Sequence, residues 1–139
     1  MKVFIVNDYT STGKGQKTFW DLLLEYIPGA VWAGGVPFPQ LATYVEGKAR
    51  VEGHPDVIVR NGTFFGKIDL PCPQISFFQD NAMNNGVMRA MQLEAAMSSR
   101  FCVFNSPFLM DKYPEIASTK SHTIIPVPID FKKFYPLGS

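Results

Sequence analysis

Cysteine is scarce in this chain: there are two, Cys72 and Cys102, with no CxxC pair and no histidine pair beside either. That pattern offers no zinc site, so the expectation is two reduced, buried thiols in a cytoplasmic protein and no structural or catalytic metal. Charge of one sign is lacking too. Thirteen Lys and Arg against twelve Asp and Glu leave a net charge of +1, and the longest basic cluster is Lys132-Lys133. Neither a nucleic-acid footprint nor a polybasic membrane anchor fits that balance. Long apolar runs are missing as well. The N-terminal run Lys2-Val3-Phe4-Ile5-Val6 is far too short for a membrane span or the hydrophobic region of a signal peptide, and without secretion the sequon Asn61-Gly62-Thr63 carries no weight. There is no internal repeat, no low-complexity stretch and no second core. The expectation is one domain over residues 1–136, with 137–139 as a terminus or the start of a linker.

What is present is apolar and punctuated. Hydrophobic residues make up 46% of the chain and include 12 Phe, enough for a domain of this length to bury about two-thirds of its unfolded surface and to leave some phenylalanines for a partner. Lys2 to Val6 reads as a strand buried on both faces. After a loop with Gly13-Lys14-Gly15, the residues Phe19, Leu22, Leu23, Tyr26 and Ile27 recur at helical spacing until Pro28-Gly29. Further strands are expected at Ala30 to Ala33, Val57 to Val59, Gln74 to Phe78, Phe101 to Phe104 and His122 to Val127. Between them come a short helix around Leu41, Tyr44 and Val45, a helix capped by Asn84 or Asn85 and running to Met97, and one opened by Pro107. Strands alternating with helices predict an α/β fold, a doubly wound Rossmann-like parallel sheet with helices on both faces.

In such a sheet ligands bind beyond the carboxyl ends of the strands. Polar residues stand at four of those ends: Asn7-Asp8, Asn61, Gln79-Asp80-Asn81 and Asn105-Ser106. Asn61-Gly62 is expected to form a tight turn or to hold a left-handed residue. The glycine loop lets backbone approach a ligand, and the helix after it favours an anion or sugar hydroxyls. It is no P-loop, because Gln16 stands where the glycine before Lys-Thr is required, and there is no GxGxxG fingerprint. Neither His54 nor His122 has a visible triad partner.

The tail Ile125-Pro126-Val127-Pro128-Ile129-Asp130-Phe131-Lys132-Lys133-Phe134-Tyr135-Pro136 resembles the Ile-Pro-Asn-Gly-Val-Asp-x-x-x-Phe-x-Pro segment that ends the N-terminal domain of GT-B fold glycosyltransferases of the family 4 type. Pro126, Asp130, Phe134 and Pro136 fall in register. Ile75 to Asp80 is similar to the family's strand ending in His-Asp, with Gln79 in place of the histidine, and Val127-Pro128 stands in place of Asn-Gly. Val103 to Phe108 has the form of a strand, a serine and a helix, and Gly13-Lys14-Gly15 stands where the family has a Gly-Gly pair.

The resemblance implies the acceptor-side half of an enzyme that moves a hexose from a nucleotide-sugar to a hydroxyl on a saccharide, lipid or small-molecule acceptor. Such a half is inactive without a donor-binding domain, whether in the same chain or separate. It implies no cofactor and no essential metal. Gln79 and Asp80 would be catalytic, facing the reacting sugar; Gly13, Lys14, Gly15, Asn61, Asn81, Arg89, Asn105 and Ser106 would bind substrate, with Arg89 as a phosphate contact. The alternative is a non-catalytic α/β binding or interaction module, a homodimer among its forms, with the surplus phenylalanines at the interface. A flavodoxin-like or sugar-nucleotide-epimerase-like enzyme has no supporting motif.

Overall fold

The computed structural model describes residues 1–8, 18–63, 65–79 and 85–125. Six strands form one sheet: β1 (Val3–Val6), β2 (Ala30–Trp32), β3 (Val57–Asn61), β4 (Gln74–Phe78), β5 (Phe101–Phe104) and β6 (His122–Ile124). All neighbours run parallel, in the order β2-β1-β3-β4-β5-β6. The helices are α1 (Phe19–Tyr26), α2 (Phe38–Glu52), α3 (Gly86–Met97), α4 (Pro107–Asp111) and α5 (Pro114–Ala117).

From β1 the chain moves outward to β2, then back across β1 to β3 and onward in one direction. Parallel crossovers are right-handed, so reversing direction puts α1 and α2 on opposite faces. The core divides accordingly. Val3, Ile5 and Val59 point to one face, where α1 lays Trp20 with Phe19, Leu23 and Leu24 over them. Phe4, Val6 and Ile58 point to the other, under Leu41, Val45 and Ala49 of α2. On that same face Phe78, Cys102 and Phe104 pack with Ala96 of α3, Leu109 of α4, and Tyr113 and Ile116 at α5. Alternate residues of β1 thus serve two cores, which is why its sequence is apolar throughout.

Local chemistry sets the helix starts. Thr18 and Asp21 form a capping box: Thr18 Oγ1 accepts from the Asp21 N–H at 3.2 Å, and Asp21 Oδ2 accepts from the Thr18 N–H at 2.8 Å. Asn85, one of the two expected caps, accepts from the Met88 N–H at 3.0 Å. Ser106 caps α4 ahead of Pro107, accepting from the Leu109 N–H at 3.1 Å.

Three elements differ from their sequence pattern. α2 runs for 15 residues instead of forming a short helix, because Leu41, Val45 and Ala49, each four apart, give only a narrow apolar stripe. β3 continues through Arg60 and Asn61 instead of stopping at Val59. Asn61 and Gly62 are not left-handed: among the described residues positive φ occurs only at Gly29, Gly35 and Gly53. The stretch from 126 onward, with the rest of the tail segment, lies outside the described residues.

Both thiols are free, but only Cys102 is fully buried; Cys72 is half-buried. Burial pushes the Cys102 thiol up to about 11 from its usual 9.0, against a smaller opposing pull from Lys120. A group held protonated in the fold contributes its stability fully below pH 9 and loses it as pH rises towards 11. The stability difference between the wild type and Cys102→Ala is therefore expected to shrink by about 2 kcal/mol across that window, read by urea unfolding at a series of pH values. A constant difference would show that the thiol ionises freely in the fold.

Candidate functional site

The reversal of direction falls between β1 and β3, whose carboxyl ends therefore flank the crevice where sheets of this kind bind ligands. Each end carries an asparagine. Asn7 and Asn61 are both only 6% exposed, and Asn61 Nδ2 donates to Asn7 Oδ1 at 3.2 Å. Asn61 Oδ1 accepts from the Thr63 N–H at 2.6 Å, closing a tight Asx turn at the strand's end without a left-handed residue. Glycines bring two further stretches of backbone close to this pair. A Cβ on Gly34 would lie 2.0 Å from the Asn7 carbonyl oxygen, and one on Gly62 would lie 2.6 Å from the Phe78 ring.

Behind Asn61 stands Arg60, fully buried on the face shared with Ile58. Its Nε donates to the Asn61 carbonyl at 2.9 Å, Nη2 to the Phe65 carbonyl at 2.6 Å and Nη1 to the Gly66 carbonyl, while the guanidinium lies 4.0 Å from the centre of the Phe65 ring. Burial lowers its pKa to about 9 and the Glu94 carboxylate partly offsets the fall, so the side chain is charged at neutral pH. A second buried set lies deeper. Tyr113 donates its hydroxyl to Gln92 Oε1, and Gln92 Nε2 reaches Thr63 Oγ1 at 3.5 Å, which ties α3 and α5 to the turn after β3.

The ends of β4 and β5 meet in the same way. Asn105 Nδ2 donates to the Gln79 carbonyl at 3.3 Å, and the Asn105 N–H donates to the Phe78 carbonyl at 3.2 Å. The Gln79 side chain makes no hydrogen bond with a described residue. Ser106 spends an oxygen lone pair as the α4 cap and keeps its O–H as a donor.

Of the sequence-predicted residues, the structure pairs Asn61 with Asn7, and Gln79 with Asn105. It places Arg89 at the start of α3 in an ion pair with Glu115, over the Tyr113 ring at 4.7 Å, and donating to the Lys112 carbonyl at 3.3 Å, so that this arginine ties α3 to α5. Hydrogen bonds hold the Glu115 carboxyl below the usual carboxylate range. Gly13, Lys14, Gly15, Asp80 and Asn81 lie outside the described residues. No set of three or more His, Cys, Asp or Glu side chains is gathered as metal ligands among the described residues.

Comparison with protein-family models, with curated proteins and with solved structures gave no match. The chemistry of the edge therefore has to be read from its own side chains. Asn7, Asn61, Gln79 and Asn105 carry neutral amides, groups that can both donate and accept; those of Asn7, Asn61 and Asn105 already make one or two bonds within the edge, and each keeps further capacity of one kind or the other. That set suits a ligand rich in hydroxyls, where every group needs a partner of either kind.

Sequence reasoning passed over Arg60, Thr63, Gln92 and Tyr113. Arg60 carried a usable signal, since it falls two residues after Ile58 and so on the same face of the strand. No helix among the described residues is long and apolar enough to cross a membrane.

Proposed function

We propose that this chain is the acceptor-side, Rossmann-like half of a glycosyl-transfer system, binding a saccharide or other polyhydroxylated acceptor in the crevice at the carboxyl edge. The observation that carries the reading is the buried Asn7–Asn61 amide pair at the point where the strand order reverses. Gln79 and Asn105 extend the amide set along the edge. In the transfer step the bond from the sugar's anomeric carbon to the nucleoside diphosphate breaks, a bond to the acceptor oxygen forms, and the acceptor hydroxyl gives up its proton. Gln79 has no proton-accepting group of suitable basicity at neutral pH, so its part is to orient the sugar by hydrogen bonding. The proton goes to a carboxylate, and this proposal gives that part to Asp80, the carboxylate expected to face the reacting sugar. A cytoplasmic location and a donor-binding domain, in the same chain or a separate one, belong to the same proposal.

A 15N-labelled sample titrated with mono- and disaccharides tests it. Shifts are expected at the amides of Asn7, Gly34, Asn61, Gly62, Gln79 and Asn105, and Asn61→Ala is expected to weaken binding about tenfold, the loss of roughly one well-made hydrogen bond. Saccharides and nucleotide-sugars that leave these amides unmoved would sink the reading. One observation favours the interaction-module alternative: Val87 and Phe108, on the first turns of α3 and α4, are 69% and 65% exposed. Self-association that rises with concentration and disappears in Phe108→Asp, with no saccharide binding, would support that alternative.

A further inference from the structure

The opposite, amino edge of the sheet holds a depression of about 440 Å3 between the approach to β4, the end of α3 and the residues just before β5 and β6. Arg100 and Lys120 line it. Neither side chain forms an ion pair or hydrogen bond with a described residue, although Arg89 and Lys48 elsewhere are both paired with carboxylates. Asp56 faces the same region, where its charge acts on the Cys72 thiol, but its carboxylate is engaged by the Lys2 N–H at 2.7 Å. Two cations are thus left open to a mobile anion.

Gln74, the first residue of β4, also lines the depression and is 3% exposed. Its Nε2 donates to the Ile68 carbonyl at 2.8 Å, which fixes the orientation of the amide, since turning it over would set two oxygens against each other. The other end, Oε1, is buried and has no donor among the described residues. A buried acceptor left in this state costs about 1–3 kcal/mol, and an O–H from a bound molecule would relieve it. The volume falls in the range of small-molecule sites.

We propose that this amino-edge depression is a second binding site, for a small hydroxylated anion of the sugar-phosphate class. The phosphate lies against Arg100 and Lys120, and a hydroxyl donates to Gln74 Oε1. The site stands apart from the carboxyl-edge crevice, yet Gln74 opens the strand that Gln79 follows, so the two share β4.

Cys72 lines the same depression and provides a reporter, because Cys102 is buried in the core. In buffer of about physiological ionic strength, where weak surface attraction is screened, glucose 6-phosphate is expected to shift the amides of Cys72, Gln74, Ser99 and Arg100 and to slow alkylation of Cys72 by iodoacetamide severalfold. Arg100→Gln/Lys120→Gln is expected to weaken that binding at least tenfold, about 1.4 kcal/mol, with the fold unchanged because neither side chain holds another element in place. Absence of shifts and protection, or binding that survives intact in the double variant, overturns the proposal. Equal affinities for inorganic phosphate and glucose 6-phosphate overturn it as well, since they reduce the site to counterion attraction.

Discussion

Replacing Arg60 with alanine is expected to remove about 4 kcal/mol of stability, the largest loss from any single side chain on this edge. The buried guanidinium serves three backbone carbonyls at once, those of Asn61, Phe65 and Gly66. Alanine leaves all three without that donor and opens a cavity beneath the Phe65 ring, which is 4% exposed. Each lost bond to a charged donor is worth about 1.5–3 kcal/mol, and the void adds to it, whereas relief from burying a charge works the other way; that is why the sum stays near 4. Arg60→Lys is expected to recover less than half, because one ammonium cannot reach three carbonyls spread over six residues or lie flat on the ring. Urea unfolding measures both. A loss below about 1 kcal/mol for the alanine variant would mean that the segment after β3 is held by other contacts.

The consequence for function follows from where those carbonyls are. Arg60 holds the carbonyls of Asn61, Phe65 and Gly66, and the first of these residues opens the Asx turn that orients its amide towards Asn7. Glu94 supports it from the helix side, accepting from the Lys67 N–H at 2.7 Å. Arg60 therefore acts as a positioning residue for the crevice. Its removal is expected to weaken ligand binding even at temperatures where the variant remains folded.

Most of the architecture was legible because apolar pattern and strand ends carry it. Val3 to Val6, Gln74 to Phe78 and Phe101 to Phe104 were each bounded by polar or proline residues, and their alternation with helices required a parallel sheet. The length of α2 was not legible. Its stripe is narrow, Gly47 interrupts it, and tertiary packing of Leu41 against the sheet decides the outcome over propensity. Polar strand ends pointed to the carboxyl edge, and Asn61 and Asn105 do stand there. The pairing of Asn61 with Asn7 did not show, because the two are 54 residues apart in the chain; nor did the Thr63, Gln92 and Tyr113 set behind the turn, whose members come from separate segments and meet only in three dimensions. Arg60 was missed for another reason: an arginine at the end of an apolar strand ordinarily marks its exit to solvent.

Gly34→Ala is expected to cost about 3 kcal/mol, and Gly35→Ala only about 1 kcal/mol, an order opposite to the one backbone strain alone would give. Gly35 has a φ of +85°, a conformation L-residues rarely adopt, but a Cβ there meets nothing nearer than Trp32 Nε1 at 3.5 Å. Gly34 needs no special φ. Its Cβ would instead stand 2.0 Å from the Asn7 carbonyl oxygen and 2.7 Å from the Trp32 ring. The ring could rotate; the carbonyl cannot yield cheaply, because it accepts from the Gly35 N–H at 3.3 Å and belongs to the residue whose side chain is bonded to Asn61. Alanine at 34 therefore drives the tail of β2 away from the tail of β1, breaks the Gly35–Asn7 bond and turns Asn7 out of the amide pair. Thermal or urea unfolding gives the order of the two variants, and the side-chain amide signals of Asn7 and Asn61 show whether the pair is lost. Were Gly35→Ala the worse of the two, left-handed strain would govern this corner, and the close approach of Gly34 to the Asn7 carbonyl would not be what holds Asn7 in the amide pair.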